Sequence, residues 1–149
     1  MKPVDSKQKM LDLTDIIISS NLAQNTGLQP QEAVLTTIFE MSIPTNKYMR
    51  IGNTLFIVSK GEGRNGYMSA MNMDTPRNFV ENVRKFIDSM YLLGFDNLVT
   101  IFEQEELIQV FRIIAKNQPR ADMGYEIGID DEGKYVATFS LGPSREGDF

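Results

Sequence analysis

Cysteine and histidine are both absent from this chain of 149 residues, and so is tryptophan. Without cysteine there are no disulfides, no thiolate metal sites and no thiol nucleophile. Without histidine the commonest general base and metal ligand at neutral pH is missing, and with it the usual serine hydrolase triad. No metal site is expected. Any catalyst here works with carboxylates, tyrosines, lysines, backbone groups or a bound water. Long apolar runs are lacking too. None approaches the ~18 residues that a membrane span needs, and Ile16-Ile17-Ile18 reads as a short buried helix face. The N-terminus has no signal-peptide architecture, so the expected location is the cytoplasm. A basic face is also missing. The net charge is -5 and the acids are dispersed, which suits solubility and argues against a nucleic-acid ligand.

What is present suits one domain. The length allows roughly 70% of the unfolded chain's surface to be buried, and 42% of the residues are hydrophobic. We expect a single domain over residues 1–142 and a polar tail over 143–149. Nine methionines supply adaptable packing. The organising stretch is Gly66–Ile127, which reads as strand, helix, strand, helix, strand. A helical crossover returns the chain to the same end of the sheet, so the strands it joins lie parallel. Ligands tend to sit at the carboxyl ends of such strands.

In chain order, Lys2–Val4 is a candidate short strand. Asp5 or Ser6 is placed to cap a helix reaching Ala23, with Met10, Leu13, Ile17 and Leu11, Ile18, Leu22 on one broad inner face. Pro30 suits the first turn of a second helix, with Val34, Leu35, Ile38 and Phe39 expected inward, and Pro44 forbids its continuation. Tyr48–Ile51 and Thr54–Ser59 read as strands joined by a two-residue Gly52-Asn53 turn. After the polar loop Lys60–Asn65 comes a strand over Tyr67–Met73. Thr75 then caps a helix with Pro76 at its first position. Phe79, Val83, Phe86, Ile87, Met90 and Tyr91 form its inner stripe, and Gly94 is its stop. Leu98–Phe102 is the next strand. A helix with Leu107, Ile108, Val110, Phe111 and Ile114 inward follows. A hairpin of Tyr125–Ile129 and Tyr135–Leu141 closes the domain. The fold class is α/β (α+β), antiparallel at first and parallel in the middle.

This order of elements, with Leu93-Gly94-Phe95 between the crossover helix and the next strand, resembles the GNAT family of acyl-CoA-dependent N-acetyltransferases. The match is best over Gly66–Leu141, about half the chain. It is also similar to small GNAT-like proteins of tailed phages, some of them virion or internal proteins. The resemblance implies acetyl-CoA as cofactor and an amine as acceptor. In that family the strand matching Tyr67–Met73 splays from the one matching Leu98–Phe102, and the gap takes the pantetheine arm. The pyrophosphate sits where the loop enters the next helix, on free N–H groups at the positive dipole end. Carried over, Met71, Asn72 and Met73 flank the arm, and Thr75, Arg77 and Asn78 lie at the phosphates. The family loop normally reads Arg/Gln-x-x-Gly-x-Gly/Ala. Here Asp74-Thr75-Pro76-Arg77-Asn78-Phe79 has no glycine to let the backbone approach phosphate. It carries an acid where the anion would come and a proline that removes a donor, so Arg77 is the candidate anion clamp. Phe111 stands in the region where the family often has a tyrosine acid.

Two side chains are candidate catalysts. Glu103 ends a strand and would take the amine proton, and Tyr125 would serve as a donor beside the cleft. Backbone N–H groups of Asn72 or Met73 would polarise the thioester carbonyl. Glu103, Glu105 and Glu106 equally suit a helix N-terminus. Lys60–Gly66 is glycine-rich but lacks the GK[ST] ending of a phosphate loop and reads as a hairpin loop. Asp130-Asp131-Glu132-Gly133 lacks calcium-loop spacing and reads as a turn. The rival to an acetyltransferase is a non-catalytic GNAT-like protein, of phage origin, acting through protein contacts in a virion or on a host factor. In that case its place is the virion or the host cytoplasm. A homo-oligomer is compatible with either reading.

Overall fold

The computed structural model describes residues 10–23, 27–116 and 123–141. Among the described residues four helices and six strands follow in the order α1 (Leu13–Ala23), α2 (Pro30–Ser42), β1 (Asn46–Ile51), β2 (Thr54–Lys60), β3 (Asn65–Asn72), α3 (Pro76–Leu93), β4 (Asn97–Phe102), α4 (Glu106–Lys116), β5 (Gly124–Ile129) and β6 (Tyr135–Ser140). The candidate strand Lys2–Val4, the capping residues Asp5 and Ser6 and the tail 143–149 lie outside the described residues. The expected α1 is longer than the observed one. Met10, Leu11 and Asp12 are not helical, and the Ile16 N–H donates to the Asp12 carbonyl.

The strands form one mixed sheet in the order β1-β2-β3-β4-β6-β5. Only β3 and β4 pair in parallel, and α3 makes their crossover. The last hairpin folds back so that β6, not β5, lies beside β4. The helices cover both faces. Strand β2 therefore buries consecutive residues: Leu55 and Ile57 pack toward α1 and α2, Phe56 and Val58 toward α3 and α4. An apolar run without alternation is what two-sided burial requires.

The α3/α4 layer holds the main core. The rings of Phe56 and Phe86 stack with centroids 4.4 Å apart, and Phe111 meets Phe102 and Phe139. Helix α3 buries its expected stripe apart from Tyr91, which is half-buried, and also buries Asn82. Gly94 has φ 105° and ends α3 in the left-handed conformation, with the Phe95 N–H reaching back to the Met90 carbonyl, as a Schellman ending requires.

The second layer corrects the expected packing of α2. Ala33 and Thr37, one turn apart, face the sheet, while Leu35, Ile38 and Phe39 are exposed. Ala33 joins Ile16, Ile17, Leu55 and Ile57 in the second core cluster, and the Thr37 hydroxyl is satisfied by the Ala33 carbonyl at 2.9 Å. Met10 and Leu22, expected inward, are likewise exposed.

Candidate functional site

The site begins where a ladder stops. Strands β3 and β4 pair at Asn65–Asn97, Gly66–Leu98 and Tyr67–Val99 and nowhere further, although both strands continue. Beyond Tyr67 and Val99 they part: β3 stays with β2 as far as Asn72, and β4 stays with β6 as far as Phe102.

The pleat decides which backbone groups face this gap. The Asn65 carbonyl accepts from the Gly61 N–H at 2.7 Å, and the Met73 N–H donates to the Asn53 carbonyl at 3.0 Å. Odd-numbered β3 residues thus turn their backbone toward β2. Alternation turns the groups of Ala70 and Asn72 toward β4, where no β4 residue pairs with them. Ile101 stands opposite on β4, because the Asn97 N–H points to β3 (toward the Arg64 carbonyl) and two further residues repeat that direction. The backbone groups able to pair with an arm in the gap are therefore those of Ala70 and Asn72. Met71 and Met73, expected beside the arm, offer it no N–H. The Met71 side chain belongs to the α1/α2 layer, its sulfur 3.9 Å from the Thr37 hydroxyl. The Gly52-Asn53 turn sets which β2 groups face β3, and the β2/β3 register, with Thr54 opposite Asn72, carries that parity to the even residues of β3.

At the top of the gap the chain turns into α3. The Asn72 side chain accepts from the Asp74 N–H at 3.0 Å and from the Thr54 hydroxyl at 2.7 Å, which makes a tight Asx turn. The Asp74 carboxylate is tied down by its neighbours. Its Oδ2 accepts from the Asn53 N–H at 2.8 Å and from Asn82 Nδ2 at 2.6 Å. Gly52, with φ +58°, lets this happen, because a Cβ there would come within 2.8 Å of that oxygen. Thr75 caps α3 as expected, and its hydroxyl accepts from the Asn78 N–H at 3.2 Å. Pro76 has no N–H and Asn78 spends its own on the cap. The Arg77 N–H is then the first-turn donor without a partner among the described residues, and the Arg77 side chain is exposed beside it. Phe79 lies in the main core.

The two candidate catalysts separate. Glu103 directly follows β4 at the open end of the gap, exposed, with Lys134 Nζ 3.9 Å from its Oε2. So loose a surface pair leaves the carboxylate free to exchange partners. Tyr125 is not beside the cleft. It lies on the edge strand β5, with β6 between it and β4, and its ring packs on Phe139 at 5.1 Å. Its hydroxyl is buried without a partner among the described residues. Burial pushes the phenol pKa up, and the Arg112 charge on α4 opposes this. Among the described residues no cluster of acids is arranged to hold a metal ion, and no helix is long and apolar enough to cross a membrane.

No family model matches the sequence, and no curated protein is similar to it. The solved structures do answer. A variant of spermidine N-acetyltransferase SpeG from Vibrio cholerae superposes with a TM-score of 0.55 at 8% identity, covering 88% of this chain and 91% of its own. The fold is that of the GNAT acetyltransferases. A GNAT phosphinothricin acetyltransferase from Sinorhizobium meliloti, solved with AcCoA, gives 0.53 at 11% identity, covering 90% of this chain and 87% of its own. The ribosomal-protein-S5-alanine acetyltransferase of Vibrio fischeri gives 0.52 at 10% identity, covering 95% and 94%. Identities this low carry the GNAT fold and nothing about activity.

Proposed function

We propose that the chain is an N-acyltransferase that takes an acetyl group from acetyl-CoA to an amine. The observation that carries this reading is the early end of the β3/β4 ladder. It leaves the backbone of Ala70 and Asn72 facing an open gap below the start of α3. An amide-bearing pantetheine arm pairs there as an added strand would. The residues fit the thioester end best. Toward the phosphates the fit rests on fewer donors: the Arg77 N–H, the Arg77 guanidinium and the Asn78 side chain, together with the Thr75 hydroxyl.

Acetyl-CoA supplies an acyl group already activated as a thioester. The Asn72 N–H takes the place of an oxyanion donor for the thioester carbonyl; the Met73 N–H, held by Asn53, does not. The acceptor reaches the gap from the sheet face where Val99 and Ile101 lie, with Ile101 half exposed. Its nitrogen would attack the carbonyl carbon, the amine proton would pass to Glu103 directly or through water, and the C–S bond would break to release the CoA thiolate, which takes a proton from solvent.

Isothermal titration with acetyl-CoA tests the reading. Binding that Arg77→Ala weakens supports it. No heat at millimolar acetyl-CoA sinks it and leaves the GNAT fold as a scaffold for protein contacts.

A further inference from the structure

Helix α2 buries its small side and presents its large apolar side to solvent. Leu35, Ile38 and Phe39 are 67%, 51% and 69% exposed, and their i, i+3, i+4 spacing puts them on one face. On α1, Thr14 and Ile18 line a cavity of about 410 Å³ with Val34 and Leu35 of α2. Leu22, the next residue in that helical row, is 76% exposed. Scattered apolar residues on a surface are ordinary, but a row spread over two neighbouring helices beside a cavity marks an interaction site.

Along α1 and α2 the charge has one sign. Between Met10 and Asn46 the chain carries Asp12, Asp15, Glu32 and Glu40 and neither lysine nor arginine. A second copy docked about a two-fold axis would set this surface against itself and bring like charges together. A partner that combines apolar side chains with lysine or arginine meets complementary charge instead.

We propose that the outer face of α1 and α2 docks an amphipathic basic helix from a partner protein. Its apolar side chains, one helical turn apart, lie across Leu35, Ile38 and Phe39. One of them anchors in the cavity beside Ile18 and Val34, and its basic residues reach the exposed Asp15 of α1 and Glu32 of α2. The surface is on the outside of the helical layer, so it stands or falls apart from acyl transfer in the β3/β4 gap.

The test is fluorescence anisotropy with the full chain and a labelled leucine–lysine peptide patterned as an amphipathic helix. The expected result is saturable binding that weakens with salt, and by about tenfold or more in Phe39→Ser and Leu35→Gln, as for loss of an interface anchor. Both positions are exposed, and an unchanged thermal melt confirms that each variant folds. Three results overturn the proposal. The first is no binding to the wild-type chain. The second is equal binding of a scrambled peptide of the same composition, or of the two variants, which would reduce the effect to net charge. The third is a dimer in sedimentation that Phe39→Ser dissociates, which would make a second copy the occupant.

Discussion

The Asp74 carboxylate accepts a hydrogen bond from the backbone N–H of Asn53 at 2.8 Å, across 21 residues of chain. The same oxygen takes Asn82 Nδ2, and the Asn53 side chain in turn accepts from the Leu11 N–H and from Arg50. One acid thus ties the β1–β2 turn to the entry of α3, beside the gap between β3 and β4. Removing it takes an acceptor from the Asn53 N–H and from one hydrogen of Asn82 Nδ2, whose other acceptor is the Thr54 hydroxyl. Asp74→Ala is expected to lower stability by about 2–3 kcal/mol in urea unfolding, and Asp74→Asn, which keeps an acceptor oxygen, by less. A loss within error for Asp74→Ala would mean that water replaces the carboxylate.

Two glycines with the same backbone separate conformation from space. Gly52 and Gly63 have φ of +58° and +64°. A Cβ at Gly63 meets nothing within 4 Å, whereas at Gly52 it meets Asp74 Oδ2 at 2.8 Å. Gly63→Ala should cost about 1–2 kcal/mol, the left-handed penalty alone. Gly52→Ala should cost clearly more, because the network must shift as well. Equal losses would show that the turn relaxes freely.

Amide hydrogen exchange reads the gap directly. Ser69 and Met71 turn their N–H groups to β2, while Ala70 and Asn72 turn theirs to the gap. Exchange without ligand should alternate along β3, slow at Ser69 and Met71 and fast at Ala70 and Asn72. Acetyl-CoA should slow Ala70 and Asn72 specifically. Uniform protection along β3 without ligand would mean that the strands close.

Tyr125 gives a signature at high pH. Its phenol pKa is raised by burial, so the folded chain holds this proton more tightly than the unfolded chain. The contribution is complete below the ordinary tyrosine pKa near 10 and is lost as pH rises above it. Tyr125→Phe should remove that part of the alkaline loss in thermal melts recorded from pH 9 to 11. At neutral pH it should be neutral or stabilising, since the hydroxyl is buried without a partner among the described residues. An unchanged alkaline melting profile would show that the loss arises elsewhere.

Local chemistry was legible where one answer satisfied every local rule. Thr75-Pro76 starts α3 and Gly94 ends it, because a cap hydroxyl, a missing N–H and a left-handed residue act within one turn of chain. The Gly52-Asn53 turn closes its hairpin with Ile51 opposite Thr54. Glu103 stands at the end of β4, as the sequence places it. Tyr125 was misplaced because strand order is not local: β6 enters between β4 and β5, and nothing near residue 125 records it. The tie of Asn53 and Asn82 to Asp74 is not legible in the sequence, because turns and helices carry many asparagines and these bonds reach across 21 and 8 residues.

By itself the sequence determined the kinds and order of the described elements, both ends of α3 and the GNAT-like crossover, since periodicity and turn chemistry are set by neighbours along the chain. The tertiary structure alone decided three things: which stripe of α2 is buried, where β3 leaves β4, and which way the Asp74 carboxylate points. Periodicity alone points the large apolar residues of α2 inward, whereas the folded chain buries Ala33 and Thr37 instead, with Ala33 packed in one cluster with Ile16, Ile17, Leu55 and Ile57. The gap opens because the ladder between β3 and β4 ends at Tyr67 and Val99 while each strand keeps its other neighbour. The acid in the turn, which reads in sequence as a charge set against an anion, becomes the acceptor that ties that turn to its neighbours once Asn53 and Asn82 are folded beside it.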